Sequence, residues 1–211
     1  MPHTLDALDT RTALIEIARD FHARGWMAGT AGNLSLRDRQ HPDSFWITAS
    51  GLAKGRLDDT DFLRMAISED RVAERLRDDA KPSAETSIHR VIYQLFAQAN
   101  ACLHVHSVDA CLATARHAPH GDMLSLPPLE MLKGLGVWEE RPAVALPLFA
   151  NFVNVSEIAA AIENRFTATP PPVPVLMIRD HGITVWGNSA QEAYNRVEIA
   201  EFIMGYLARL P

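Results

Sequence analysis

Cysteine is nearly missing from this 211-residue chain: Cys102 and Cys111 are the two, both in apolar surroundings. Two thiols cannot build a disulfide framework, so a reducing compartment is expected. A dominant charge of one sign is also lacking. Twenty Lys and Arg against 26 Asp and Glu leave a formal net charge of −6 with no long basic run, which argues against nucleic acid or an anionic membrane as the partner. No apolar run reaches the roughly 18 residues that a membrane helix needs. The start, Met1-Pro2-His3-Thr4, has no basic segment leading into an apolar one, so no secretory signal is expected and the chain reads as cytoplasmic. There is no Gly-x-Gly-x-x-Gly after the first strand, no Walker loop and no internal repeat. What remains is an ordinary globular composition, 47% apolar and 22% charged, able to bury a sizeable core and of a length that fits one domain over residues 1–211.

Apolar periodicity gives an interleaved α/β pattern of seven or eight strands and four longer helices. Leu5, Leu8, Leu14, Ile17 and Phe21 mark a helix from Leu5 to Arg24 that stops at Gly25. Strands are expected over Asn33–Arg37, Phe45–Thr48, Phe62–Ile67, Ala101–Val108, Ala143–Phe149, Val173–Arg179 and Ile183–Trp186. Helices are expected after Ser83, over Ala110–His117, over Ser156–Phe166 and over Ala190–Leu210.

The chemistry concentrates in five stretches. Leu103-His104-Val105-His106-Ser107 sets two histidines two apart in an apolar run. On a strand both imidazoles leave the same face and can share a metal ion. His181 stands where a strand meets Gly182. Gly29-Thr30-Ala31-Gly32-Asn33 and Ala49-Ser50-Gly51-Leu52-Ala53-Lys54 are small-residue turns at strand ends. Their glycines permit positive φ, and such turns can aim donors at one anion. Lys54 reads equally as a phosphate contact or as a solvated surface lysine. Ser83 is a plausible helix N-cap with Glu85 in the first turn, where a carboxylate also suits the helix dipole. Glu130, in Leu129-Glu130-Met131-Leu132-Lys133-Gly134, is either a carboxylate tuned for proton transfer or an exposed residue of a short surface helix.

Taken in order, Gly29-Thr30-Ala31-Gly32-Asn33-Leu34-Ser35, Ile47-Thr48-Ala49-Ser50-Gly51, Lys81-Pro82-Ser83-Ala84-Glu85, His104-Val105-His106-Ser107 and Asp180-His181-Gly182 resemble the class II aldolase/adducin family over essentially the whole chain. The resemblance implies a three-layer α/β/α fold around a central, largely antiparallel sheet. It implies a homotetramer, usually fourfold-symmetric, with sites at subunit interfaces. It further implies one divalent metal per subunit, usually zinc, on His104, His106 and His181, and phosphate capture by loops onto which Asn33, Ser50, Gly51 and Ser83 map. The substrate it implies is a small phosphorylated ketose. Pro128-Leu129-Glu130-Met131-Leu132-Lys133-Gly134 resembles the family's dehydratases, whose acid/base Glu maps to Glu130. The family's aldolases place the working Glu at Glu85, and this chain has both. A sugar-phosphate aldolase, a pentulose-phosphate 4-epimerase or a non-catalytic adducin-like interaction module are the alternatives. Met27, Trp138 and Phe149 are apolar candidates for holding a substrate tail.

Overall fold

A computed structural model describes residues 4–211; Met1 to His3, the start of the segment inspected for a leader, lie outside the described residues. The first expected helix is divided. Leu5–Ala7 forms a short 3-10 turn, and α1 runs over Thr10–Ala23. Asp9 causes the break: its carboxylate accepts the N–H groups of Arg11 and Thr12 and so caps α1.

Nine strands then form one sheet in the order β4-β3-β2-β1-β5-β9-β8-β7-β6. They are β1 (Asn33–Arg37), β2 (Ser44–Thr48), β3 (Phe62–Ala66), β4 (Val72–Arg75), β5 (Ala101–Val105), β6 (Met123–Ser125), β7 (Ala145–Phe149), β8 (Val175–Ile178) and β9 (Gly182–Gly187). Every pairing is antiparallel except β7 with β8. Two strands go beyond the sequence expectation. β4 is half-buried or exposed along its length, and β6 has one buried residue of three, so neither carries a clear apolar alternation.

The sheet is covered on both faces. Ala101, Leu103 and Val105 of β5 pack into one core with α1, α3 (Val108–His117) and α5 (Ala190–Arg209). Cys102 points the other way, into a second core with α2 (Thr86–Leu95) and α4 (Val155–Ala168). This is the three-layer α/β/α arrangement, and it follows from the two-residue period of a strand buried on both faces. Among the described residues no helix is long and apolar enough to cross a membrane.

The middle of the sheet positions the chemistry. Asn33 of β1, His104 of β5 and Thr184 of β9 stand side by side in register. His106 lies one residue past β5, and Ser107 caps α3 by accepting the N–H of Ala110. Asp180 turns the chain at φ 52° just before His181, a conformation that Asp tolerates better than most residues. Gly182 must be glycine, since a Cβ there would lie 2.0 Å from the Val105 carbonyl oxygen. Helix α2 begins two residues later than a Ser83 cap requires. The Ser83 hydroxyl instead accepts the N–H of Glu85, and Glu85 itself occupies the cap position without a capping bond. Its side chain is engaged elsewhere.

Candidate active site

His104, His106, His181 and Glu85 offer ligand atoms that all lie within 4.8 Å of one another. The Nε2 atom of His104 is 2.9 Å from that of His106 and 3.2 Å from that of His181. Glu85 Oε1 is 2.6 Å from His181 Nε2, 3.5 Å from His104 Nε2 and 3.8 Å from His106 Nε2. The outer nitrogens say which atoms are donors. His181 Nδ1 is 3.1 Å from the Asn151 side-chain oxygen, an arrangement that suits a proton on Nδ1. His104 Nδ1 is 2.9 Å from the Thr184 hydroxyl. Where such an outer partner accepts from Nδ1, the Nε2 lone pair is left facing inward, as in histidines that hold a metal. Lone pairs and a carboxylate oxygen at these separations repel unless a cation or protons lie among them. The donor set therefore fits a divalent metal with nitrogen and oxygen preferences.

Positive charge among these rings, from protons or a metal, acts on Glu85. Burial by itself would push the Glu85 carboxyl up, but the His104, His106 and His181 rings outweigh it and hold Glu85 well below the usual carboxylate range. Burial also lowers His106 and favours its neutral, ligating form.

Beside this cluster is a cavity of about 70 Å³ lined by Thr30, Ala31, Gly32, Asn33, Ala49, Ser50, Gly51, Lys54, Ser83 and Glu85. The two small-residue turns and the Ser83 segment thus meet at one place, although they are distant in sequence. Gly32 and Gly51 take φ of 75° and 76° there. A Cβ on Gly32 would sit 2.9 Å from the His104 carbonyl, so the turn closes directly onto the histidine strand. Lys54 overturns the surface reading. It is 1% exposed, and its Nζ donates to the Thr30 and Leu52 carbonyls at 2.9 Å each. An ammonium has three donors, so one stays available to the cavity. Burial lowers Lys54 to about 8, with Glu85 opposing.

Other sequence candidates lie apart. Glu130 opens a 3-10 helix, Glu130–Leu135, that buries Leu132 and Leu135, but its own side chain is 82% exposed and paired with Lys133 Nζ at 2.8 Å. It is not one of the four converging residues. Met27 and Phe149 are core side chains, whereas Trp138 is 72% exposed with Lys133 over its ring. Sequence reading missed His89. One turn along a helix from Glu85 it reads as a helix-face residue, yet it is fully buried and bonded to Asn33 and Ser35. Its spacing of four from Glu85 was the available signal.

The sequence pattern described as Class II Aldolase and Adducin N-terminal domain matches residues 12–207. This chain belongs to the class II aldolase/adducin family. Within it, the chain is 55% identical over 199 residues to a methylthioribulose-1-phosphate dehydratase of Microcystis aeruginosa, covering 94% of this chain and 95% of that one. A Leptospira biflexa protein of the same name is 38% identical, covering 97% and 99%. Among solved structures, L-fuculose-1-phosphate aldolase from Thermus thermophilus superposes with a TM-score of 0.71 at 26% identity, covering 93% of this chain and 91% of that one.

Proposed function

We propose that the chain is a lyase that dehydrates 5-methylthioribulose 1-phosphate to 2,3-diketo-5-methylthiopentyl 1-phosphate in methionine salvage. The observation that carries it is a three-histidine, one-carboxylate cluster joined to an anion-sized cavity, in a chain 55% identical to a named dehydratase. His104, His106 and His181 would hold the metal, with zinc as the proposed ion. When bound, it supplies Lewis-acid stabilisation of negative charge developing on the substrate's C2 oxygen.

The chain's own groups do the rest. The cavity at Asn33, Ser50, Gly51, Lys54 and Ser83 takes the phosphate and so fixes the position of C2 and C3 against the histidines. Glu130 removes the C3 proton and returns a proton to the departing C4 hydroxyl. Loss of water leaves an enol that tautomerises to the diketone. The Glu130 side chain is exposed. It would therefore serve a site completed between copies of the chain. A homotetramer is the proposed assembly, supported by exposed Val108, Trp138, Phe152, Val153 and Phe202.

One observation favours a second reading. Glu85 is the carboxylate that stands at the histidines within the chain itself, which is the aldolase placement. Incubation with methylthioribulose 1-phosphate, following diketone absorbance, tests the reaction; release of a carbon fragment would indicate aldol cleavage instead. Glu130→Gln is expected to abolish nearly all dehydration with normal zinc content. Retained turnover in that variant would remove Glu130 and leave Glu85 as the proton carrier.

A further inference from the structure

Beneath Glu85 and Asn33 lie buried polar groups, Ser35, His89 and Tyr93, that neither the metal cluster nor the phosphate cavity explains. Glu85, His89 and Tyr93 are spaced by four and fall on one stripe of the α2 segment. Asn33 and Ser35 are spaced by two and fall on one face of β1. Four helical residues rise about 6.0 Å and two strand residues about 6.6 Å, so the two stripes interleave in step. The contacts alternate accordingly. Tyr93 OH is 2.8 Å from Ser35 Oγ, and Ser35 Oγ is 2.6 Å from His89 Nδ1. His89 Nε2 is 2.5 Å from Asn33 Oδ1, and Asn33 Nδ2 donates to Glu85 Oε2. Asn33, Ser35, His89 and Tyr93 are each no more than 2% exposed.

The direction of every bond follows from its last member. An ionised carboxylate can only accept, so the Asn33 amide must turn its NH₂ to Glu85 and its oxygen to His89. That oxygen cannot donate, so His89 must carry its proton on Nε2. Nδ1 is then bare and takes the Ser35 proton, although the Cys102 carbonyl lies 3.2 Å from the same hydroxyl. Ser35 in turn must accept from Tyr93. Burial keeps the ring neutral, lowering His89 to about 3, so it has one proton to place.

We propose that His89 is a positioning residue: held as its Nε2–H tautomer by Ser35 and Tyr93, it locks the Asn33 amide so that Glu85 Oε2 is tied back and Oε1 is presented to the three histidines. The proposal rests on the reading of Glu85 and the histidines as a working metal site, but not on which ketose phosphate is turned over.

Two variants separate positioning from space-filling. Gln can place an amide N–H where Nε2 stood, whereas Met fills similar space with no donor. His89→Met is expected to weaken zinc binding about tenfold or more, and His89→Gln by no more than about threefold, in competition with a chromophoric chelator. Turnover is expected to fall in kcat with KM nearly unchanged, and in the same order. ¹⁵N NMR of histidine-labelled wild-type protein, with the His89 signals identified by their loss in His89→Gln, should show the Nε2–H tautomer. An Nδ1–H tautomer or an imidazolium at His89 would overturn the proposal, as would equal zinc affinity in the Met and Gln variants. If His89→Met does not fold, the wild-type tautomer decides alone. A wild-type protein inert toward methylthioribulose 1-phosphate that still shows the tautomer and the Met/Gln difference would sink the dehydratase reading and leave the relay standing.

Discussion

Glu85, at the start of α2 and largely buried, and Glu201, buried on α5, are carboxyls in the same fold, and their surroundings drive them apart. Glu85 meets three imidazoles through Oε1 and the Asn33 amide through Oε2. Those contacts overcome burial and keep it charged. Glu201 is 4% exposed, and its Oε1 has no hydrogen-bond partner among the described residues. Burial raises it to about 7, Asp109 adds to the rise, and a Ser107 hydrogen bond opposes without reversing it. Arg24 and Arg209 line the same cavity, of about 870 Å³, that Glu201 borders, but neither forms an ion pair with it; they pair with Glu198 and Asp109. Burial therefore sets the cost of the charge, and the partner set decides whether the charge survives.

The sharpest way to break this comparison is to make both carboxyls neutral. Glu85→Gln is expected to weaken zinc binding about tenfold or more and to lower turnover with it. Glu201→Gln should leave kcat and zinc content essentially as they were. A large activity loss in Glu201→Gln would mean that the α5 side also serves the chemistry.

Lys54 extends the comparison to a buried cation on the site side. Lys54→Met leaves the Thr30 and Leu52 carbonyls without their donor and is expected to cost about 1–3 kcal/mol in denaturant unfolding. It should also raise KM for the phosphorylated substrate. In the wild type, KM should climb as pH passes about 8, where Lys54 loses its proton, and this climb should be missing from the variant. An unchanged KM would remove Lys54 from phosphate binding and leave it as a tie between two loops.

Glu201 gives the pH signature. Its folded-state value, about 7, lies above the ordinary 4.5. The folded chain thus holds a proton that the unfolded chain has released between those values, and stability falls as pH rises through this window. Glu201→Gln should flatten that part of the stability–pH curve. It should make the protein more stable at pH 8, relative to pH 5, by at most about 3 kcal/mol. A curve that keeps its full slope in the variant would show that Glu201 ionises freely.

The amino-acid order determined a good deal by itself. Short apolar runs and the helical stripes between them showed the α/β class and most strands, because a strand buried on both faces is apolar at nearly every position. His104 and His106, two apart beside a strand end, were legible as a pair. So were His181 before Gly182 and the glycines at 29, 32 and 51, which do take positive φ. Strands β4 and β6 were not legible, since their few buried residues leave no pattern. Lys54 was not, because a lysine's burial depends on carbonyls supplied by a loop 24 residues away.

Only the tertiary structure decided which carboxylate meets the histidines. Glu85 and Glu130 look equally eligible along the chain, but α2 docks its first turn against β1 and β5 while the Glu130 turn points to solvent. Tertiary structure likewise decided that Glu85, His89 and Tyr93 interleave with Asn33 and Ser35. Each stripe could be read from its own period, four on a helix and two on a strand. That they mesh depends on the near-equal rise of the two elements and on the register that sets Asn33 beside His104, and neither is written in any one stretch of sequence.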